Sequence, residues 1–219
     1  MSIGSLARTV LGPYFPIAGR IYRSAFVDLR LLAQAAAPLI PPDAHILDVG
    51  GGDGEPLNHI LALRPDVTVT MTDLNPAIGL ALRPEFRSRV ELRASTSVLD
   101  YLRSPGKAPN VVMLNDVMHH VRPHERAKLL GQIQEIMARF GTSKLLIKDV
   151  EPGHFRSALC LWTDRHITGD KGVELVSREE LDVLMRRACG ECRVEESLLF
   201  EKDPPNYLVA YSFARPAQA

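Results

Sequence analysis

Between residues 45 and 150, short apolar runs alternate with stretches of helical periodicity, and this alternation restricts the chain more than any other feature. Residues 45–49, 67–72, 90–94, 111–114 and 144–150 read as strands. A helix running through Leu63 and another over 123–140 fall between them, the latter with Leu129, Leu130, Ile133, Ile136 and Met137 on one face. Strands alternating with helices imply right-handed crossovers and a parallel sheet covered on both faces. The rhythm then changes. After a Ser-capped helix over 177–188, two strands (193–200 and 207–214) follow with only the Pro204-Pro205-Asn206 turn between them, so one must run antiparallel to its neighbours. The expected class is α/β, a doubly wound and mostly parallel sheet finished by an antiparallel hairpin.

The first forty residues stand apart. Pro13, Pro16 and Gly19 break up the opening, and residues 25–40 read as an Ala- and Leu-rich helix ended by Pro38, Pro41 and Pro42. The expected division is an N-terminal helical extension over 1–40 and a main domain over 41–219. The extension would serve as a lid that brings Tyr14, Tyr22 and Arg23 near a site, or as a packing helix or homodimer surface. Lys plus Arg equals Asp plus Glu, 26 each, which argues against a nucleic-acid partner, since phosphate contacts call for a basic excess. Three cysteines make no disulfide framework in a chain this long. The opening lacks the pattern of a signal peptide, and no apolar run approaches the ~20 residues that span a bilayer. A cytoplasmic protein without membrane insertion is expected.

The turn after the first strand reads Asp48-Val49-Gly50-Gly51-Gly52-Asp53-Gly54-Glu55. Glycines between a strand and its helix permit a tight turn and close approach of a ligand to the backbone. A dinucleotide fingerprint begun at Gly50 would need a small residue where Glu55 stands. Asp53 and Glu55 also place carboxylates where a pyrophosphate would sit, so NAD and FAD fit poorly. No Lys-Ser/Thr pair follows the glycines, which excludes a P-loop. The pattern suits a ligand without phosphate: Asp48 at the first strand end favours an ammonium, and Asp73 at the second, about 20 residues past the loop, can bind ribose hydroxyls.

Ile46-Leu47-Asp48-Val49-Gly50-Gly51-Gly52-Asp53-Gly54 resembles, throughout, the first motif of the class I S-adenosylmethionine-dependent methyltransferases. In order of elements the resemblance extends from about Ile46 to the last strand. It implies a Rossmann-like domain with a seven-stranded sheet, S-adenosylmethionine as cofactor and S-adenosylhomocysteine as product. By the same resemblance Asp48, Gly50, Gly51 and Gly52 line the methionine moiety, and Asp73 with Leu74 meets the ribose. That family's third strand usually ends in Gly-Asp beside the adenine. Here Ser95-Thr96 stand in that place, where a Thr hydroxyl can still hydrogen-bond, and Asn115 ends the fourth strand.

Methyl transfer is an in-line displacement, so an enzyme's main task is to position the acceptor, with a base added when the acceptor is a hydroxyl or an acidic carbon. The fourth strand continues as Asn115-Asp116-Val117-Met118-His119-His120-Val121, at the carboxyl edge where α/β sheets bind ligands. This stretch resembles small-molecule O- and C-methyltransferases. In plant-type O-methyltransferases the corresponding His is the base, and His119 is the nearest match. His120 is the alternative, and a His pair that only shapes the pocket is the competing reading. After the fifth strand, residues 161–172 would wall the acceptor pocket by the same resemblance, with Trp162, Arg165 and, from the N-terminal segment, Tyr22 as lining residues. His166 is a further base candidate. The plainer reading there is one helix turn with Trp162 in the core and charges in water.

Two motifs carry no chemistry. Asp203-Pro204-Pro205-Asn206-Tyr207 looks like the signature of methyltransferases acting on nucleic acid bases, but it lies in a hairpin rather than after the fourth strand. Cys189-Gly190-Glu191-Cys192 has no second Cys pair to complete a zinc site, and Gly190 suits a helix C-cap; no metal is expected. The reading is an enzyme that methylates a small molecule, first on a hydroxyl oxygen, with carbon or nitrogen open. A protein or RNA methyltransferase and a non-catalytic S-adenosylmethionine-binding module stand as rivals.

Overall fold

The computed structural model describes residues 27–168, 170–190 and 192–213. The N-terminal expectations on residues 1–26, Tyr14, Tyr22 and Arg23 among them, lie outside the described residues. The helices are α1 (Leu29–Ala36), α2 (Glu55–Leu63), α3 (Val98–Arg103), α4 (Pro123–Phe140), α5 (Phe155–Thr163) and α6 (Arg178–Cys189). The strands are β1 (His45–Val49), β2 (Thr68–Thr72), β3 (Val90–Arg93), β4 (Val111–Asn115), β5 (Lys144–Val150), β6 (Arg193–Leu199) and β7 (Asn206–Ser212).

They form one sheet in the order β3-β2-β1-β4-β5-β7-β6. All pairings are parallel except those of β7, which runs antiparallel to both β5 and β6. The expected seven strands and terminal hairpin are therefore present. Successive strands step outward from β1 to β3 and then return to β4 on the other side, so β1 and β4 flank the switch point where such sheets open a crevice.

β1, β4 and β5 are buried on both faces, as strands covered by helices must be. One core layer joins α3, α4 and α6 to the sheet through Leu114, Leu130, Ile133, Ile136, Leu181 and Met185. The other packs Leu32, Ala33, Ala36 and Ile40 against Ile46, Leu57, Ile60 and Met71. The helix expected over 25–40 is shorter in the described part. Asp28 caps it by accepting from the Arg30 and Leu31 amides, and it tightens into a 3-10 turn, Ala37–Leu39, at Pro38.

Arg126 of α4 is fully buried. Its Nε donates to the Val121 carbonyl at 3.0 Å, one Nη to Glu180 Oε1 at 3.1 Å and the other to the Glu174 carbonyl. It thereby ties α4 to the turn after β4, to the 174 segment and to α6. Arg126→Ala leaves two carbonyls without donors in a dry interior, and we expect a loss of about 3 kcal/mol in urea denaturation.

Candidate active site

Three glycines of the turn after β1 have left-handed backbones: Gly50 at φ 72°, Gly52 at φ 57° and Gly54 at φ 81°. Gly51 is fixed by space instead. A Cβ there would lie 2.3 Å from Met71 Cγ and 2.4 Å from Asp48 Oδ2, whereas one on Gly52 would meet nothing within 4 Å. The turn is thus packed tight beneath and open above. The Gly50 and Gly51 amides donate to the Thr72 carbonyl at 2.8 and 3.2 Å. Asp73 takes the Gly52 amide on Oδ2 at 2.9 Å and the Asn75 amide on Oδ1 at 2.8 Å. The carboxyl ends of β1 and β2 are therefore stitched into one rim.

Asp48 lies under that rim, almost wholly buried. Its Oδ1 has no hydrogen-bond partner among the described residues. Burial first, and then the Asp73 charge, push its carboxyl up to about 7. A buried acceptor without a donor costs stability unless a ligand supplies the donor. An ammonium matches this one in charge and in hydrogen-bonding sense. The sign follows from the raised pKa: the stability contributed by protonated Asp48 is present below about pH 4 and lost as pH rises through 7. Asp48→Asn at pH 8 should therefore stabilise the ligand-free protein by on the order of 2–4 kcal/mol, and the gain should vanish at acid pH in thermal unfolding.

Further along the rim, Leu74 is exposed, the Thr96 amide donates to the Asp73 carbonyl at 2.9 Å, and Ser95 holds a left-handed φ of 51°. Asn115 ends β4, and Asp116 after it also has a left-handed φ, 55°. Ser95 and Asp116 thus share this edge, while Asp43, the other such non-glycine residue among the described ones, precedes β1. Val117 then packs on Gly50, with its Cγ2 only 2.8 Å from where a Cβ would stand, which brings the β4 turn against the glycine turn.

That turn is a 3-10 helix, Met118–His120. His119 is buried and its Nδ1 donates to Asp149 Oδ1 at 2.5 Å, while its amide donates to Asp149 Oδ2 at 3.2 Å. Asp149 is fully buried at the end of β5. His119 Nε2 faces Asp164 Oδ2 at 3.9 Å. Burial works to lower the His119 pKa, but the Asp149 charge and hydrogen bond, with Asp116 and Asp164 behind, carry it up to about 9. The same bond holds Asp149 below its usual range against desolvation. Beside this pair Lys148, also buried, bonds Asp116 Oδ1 at 2.5 Å. His120 is exposed, with Nδ1 on Asp170 Oδ2 at 2.9 Å.

The remaining acceptor-side candidates fall on another face. Trp162 is 53% exposed and stacks on His166, whose Nδ1 donates to the Trp162 carbonyl at 2.8 Å. Arg165 donates to the Val173 carbonyl at 3.0 Å. Trp162 is therefore not a core residue. The side chains of α5 that turn inward are Ser157 and Thr163, followed by Asp164 just past the helix, with Cys160 and Leu161 half-buried beside them. An open hollow of about 490 Å³ lies along that face, lined by His154, Ser157, Ala158, Leu161, Glu174 and Leu175. The Glu174 amide donates to the His119 carbonyl at 3.0 Å, which ties one lining residue of the hollow to the turn after β4. Asp149 and Asp164 are the residues the sequence did not point to.

The hairpin and Cys-x-x-Cys motifs lie elsewhere in the fold. Asp203 takes the Asp28 amide and Arg156, and holds the hairpin turn. Cys189 and Cys192 are half-buried thiols, and Gly190 follows α6 at φ 66°. Ligand-type atoms of His119, His120 and Asp164 lie within 4.8 Å of one another, as do those of Asp116, His119 and Asp149; in the second set they are already joined to each other or to Lys148. No helix among the described residues is long and apolar enough to cross a membrane.

Stability should report the His119 pair directly. A raised folded pKa means its contribution is complete below about 6.5 and disappears as pH rises through 9. Urea denaturation should show a fall on the order of 3 kcal/mol across that window, absent in His119→Gln.

The profile of a family described as "Methyltransferase domain" matches residues 20–188. A curated relative, 3-hydroxy-5-methyl-1-naphthoate 3-O-methyltransferase of Streptomyces sahachiroi, is 26% identical over 152 residues, covering 68% of this chain and 44% of that protein. Among solved structures, the pyocyanin biosynthetic protein PhzM superposes with a TM-score of 0.66 at 21% identity, over 94% of this chain and 61% of that one. CalO1, a methyltransferase in calicheamicin biosynthesis solved in its SAH-bound form, gives 0.60 at 19% identity, over 84% and 53%. The chain thus spans about half the length of these relatives.

Proposed function

The chain belongs to the methyltransferase-domain family, and from that premise we propose that it transfers a methyl group from S-adenosylmethionine to a hydroxyl oxygen of a small-molecule acceptor, with His119 as the general base. The observation that carries the reading is the pairing of two buried groups across the β1/β4 switch point: a carboxyl without a donor at Asp48 and a histidine oriented by Asp149. The first asks for a cationic ligand and the second for an acceptor proton. The names of the relatives agree, since each is a methyltransferase or a small-molecule biosynthetic protein.

S-adenosylmethionine, when bound, supplies an electrophilic methyl on a sulfonium. The chain's residues fit its parts. Asp48 would hold the ammonium, Gly50, Gly51 and the open Gly52 would line the methionine chain, and Asp73 with Leu74 would receive the ribose. Ser95, Thr96 and Asn115 border the adenine side. On the acceptor side, Asp149 accepts from Nδ1–H and so leaves Nε2 as the nitrogen that takes a proton. His119 Nε2 would take the proton of the acceptor hydroxyl as its oxygen receives the methyl group that S-adenosylmethionine would supply, the thioether product keeping the electron pair. The hollow along α5 would receive the rest of the acceptor, a volume usual for small ligands. His120, exposed and tied to Asp170, serves less well as a base. Trp162, Arg165 and His166 would meet the acceptor only at its outer edge, and Tyr22 would approach from the N-terminal segment. A homodimer and a cytoplasmic location are part of the same proposal.

Calorimetric titration tests the cofactor half. S-adenosylmethionine and S-adenosylhomocysteine should bind saturably, at least tenfold more weakly to Asp48→Ala and Asp73→Ala. Failure of both ligands to bind the folded protein overturns the proposal. Turnover tests the base. His119→Ala should lose about 10²–10⁴ in kcat with cofactor affinity kept. A base must be neutral to accept a proton, so wild-type kcat/KM should climb with pH through a midpoint near 9 to a plateau above it. Asp149→Asn should bring that midpoint down, because it removes the charge that raises His119.

A further inference from the structure

The apolar run of β5 gives way at Lys148, whose side chain is buried. A strand covered on both faces needs only packing at such a position, and a buried ion pair adds little stability over apolar residues of similar volume. Stability alone therefore does not account for the lysine. Lys148 grips Asp116 twice: its carbonyl accepts from the Asp116 amide at 2.9 Å, and its Nζ donates to Asp116 Oδ1 at 2.5 Å. Asp116 makes both bonds with a left-handed backbone, φ 55°, just past the end of β4. Carboxylate oxygens of Asp116 and Asp149 and a ring nitrogen of His119 lie within 4.8 Å of one another. The Asp116 carboxylate is thus held on β5 while a histidine stands within its reach.

His119 meets carboxylates from three elements. Asp149 of β5 is bonded to Nδ1 at 2.5 Å, Asp164 after α5 has Oδ2 3.9 Å from Nε2, and Asp116 follows β4. His120 lies against the ring, with centroids 4.2 Å apart and Asp170 on its far side. Burial keeps the Cys160 thiol and the Tyr207 hydroxyl neutral, pushing both above their usual range. Lys148 and Arg126 are the buried cations among the described residues, and Arg126 is bonded to Glu180 and two carbonyls. Lys148 is therefore the cation set among these carboxylates. A carboxylate so near an imidazole, once released, would pair with its protonated form and keep the proton there. We infer that Lys148 is a positioning residue for the base: by holding Asp116 it keeps that carboxylate from pairing with His119 and leaves the imidazole able to take the acceptor's proton. The role in turnover rests on the methyl-transfer reading; the hold on Asp116 is open to test without it.

The test is the titration of the His119 imidazole, followed by NMR in protein with isotope-labelled histidine and assigned by its loss in His119→Gln. The wild-type midpoint should lie near 9. Lys148→Met should strengthen proton binding about tenfold and carry the midpoint to about 10. Lys148→Arg, which keeps the charge and the grip, should leave it near the wild-type value. In an Asp116→Asn background, Lys148→Met should move the midpoint less than half as far, since the carboxylate that Lys148 restrains is gone. Lys148→Gln, whose amide can still donate to Asp116, should give a smaller rise, and serves if the methionine variant fails to fold. In turnover, Lys148→Met should lose about tenfold in kcat/KM near neutral pH and less as pH approaches about 10. An unchanged or lowered midpoint in the Lys148 variants, or an equal rise with and without Asp116, overturns the inference while the methyl-transfer reading stands. Failure of S-adenosylhomocysteine to bind overturns the reading, and the role in turnover with it, whatever the titration gives.

Discussion

The structure depends on a carboxyl group that the fold does not satisfy. Asp48 sits at the end of a strand buried on both faces, with Asp73 as its nearest charge and no donor for Oδ1 among the described residues. Most buried polar atoms find partners within the protein, so an exception at a topological switch point has meaning. The glycine turn above it could have been closed by side chains. Instead Gly51 is pressed against Met71 and Asp48, Gly52 opens on empty space, and the Gly52 amide is turned to Asp73. In the proposed reading the rim receives a ligand that brings its own positive charge and would supply the donor that Asp48 Oδ1 lacks among the described residues.

The second half of the site follows from strand register. Asn115 pairs with Lys148, which sets Asp149 one residue beyond the end of that pairing, where it receives both the ring and the amide of His119. Arg126 then secures the turn from below through Val121 and Glu174, and Glu174 returns to His119 through its own amide. A histidine so fixed would lose little freedom on meeting an acceptor in the proposed reading, and the carboxylates around it raise its pKa. Not every buried histidine here has that role. His45, between Thr68 and Thr70, is lowered to about 4 and is a neutral core group that joins two strands.

Much of this was legible in the residues. The strand and helix pattern, the terminal hairpin and the glycine turn all depend on local chemistry: period, turn preference and the fixed spacing of a strand-turn-helix unit; His119 was singled out by resemblance to a family instead. α4 and β5 occupy the residues their periodicity indicated. What was not legible depends on tertiary placement. Asp149 lies 30 positions from its partner, although a charged pair, Lys148-Asp149, inside an apolar parallel strand was a signal that something buried needed it. α5 misleads in another way. Phe155, Leu159 and Trp162 share an exposed face while Ser157, Thr163 and, just past the helix, Asp164 turn inward, so a reading by hydropathy alone puts the tryptophan in the core and the aspartate in water.

The central claim is that Asp48 receives the cofactor's ammonium, and proton linkage tests it most directly. With a pKa of about 7 in the free protein, Asp48 is half protonated at pH 7 and must ionise to hold a cation. Titration calorimetry in buffers of different ionisation enthalpy should therefore find roughly half a proton released through Asp48 for each S-adenosylmethionine bound at pH 7. Asp48→Asn should lack that release, and the wild type should lose it by pH 9. Tight binding with the same proton balance in wild type and Asp48→Asn would contradict the account.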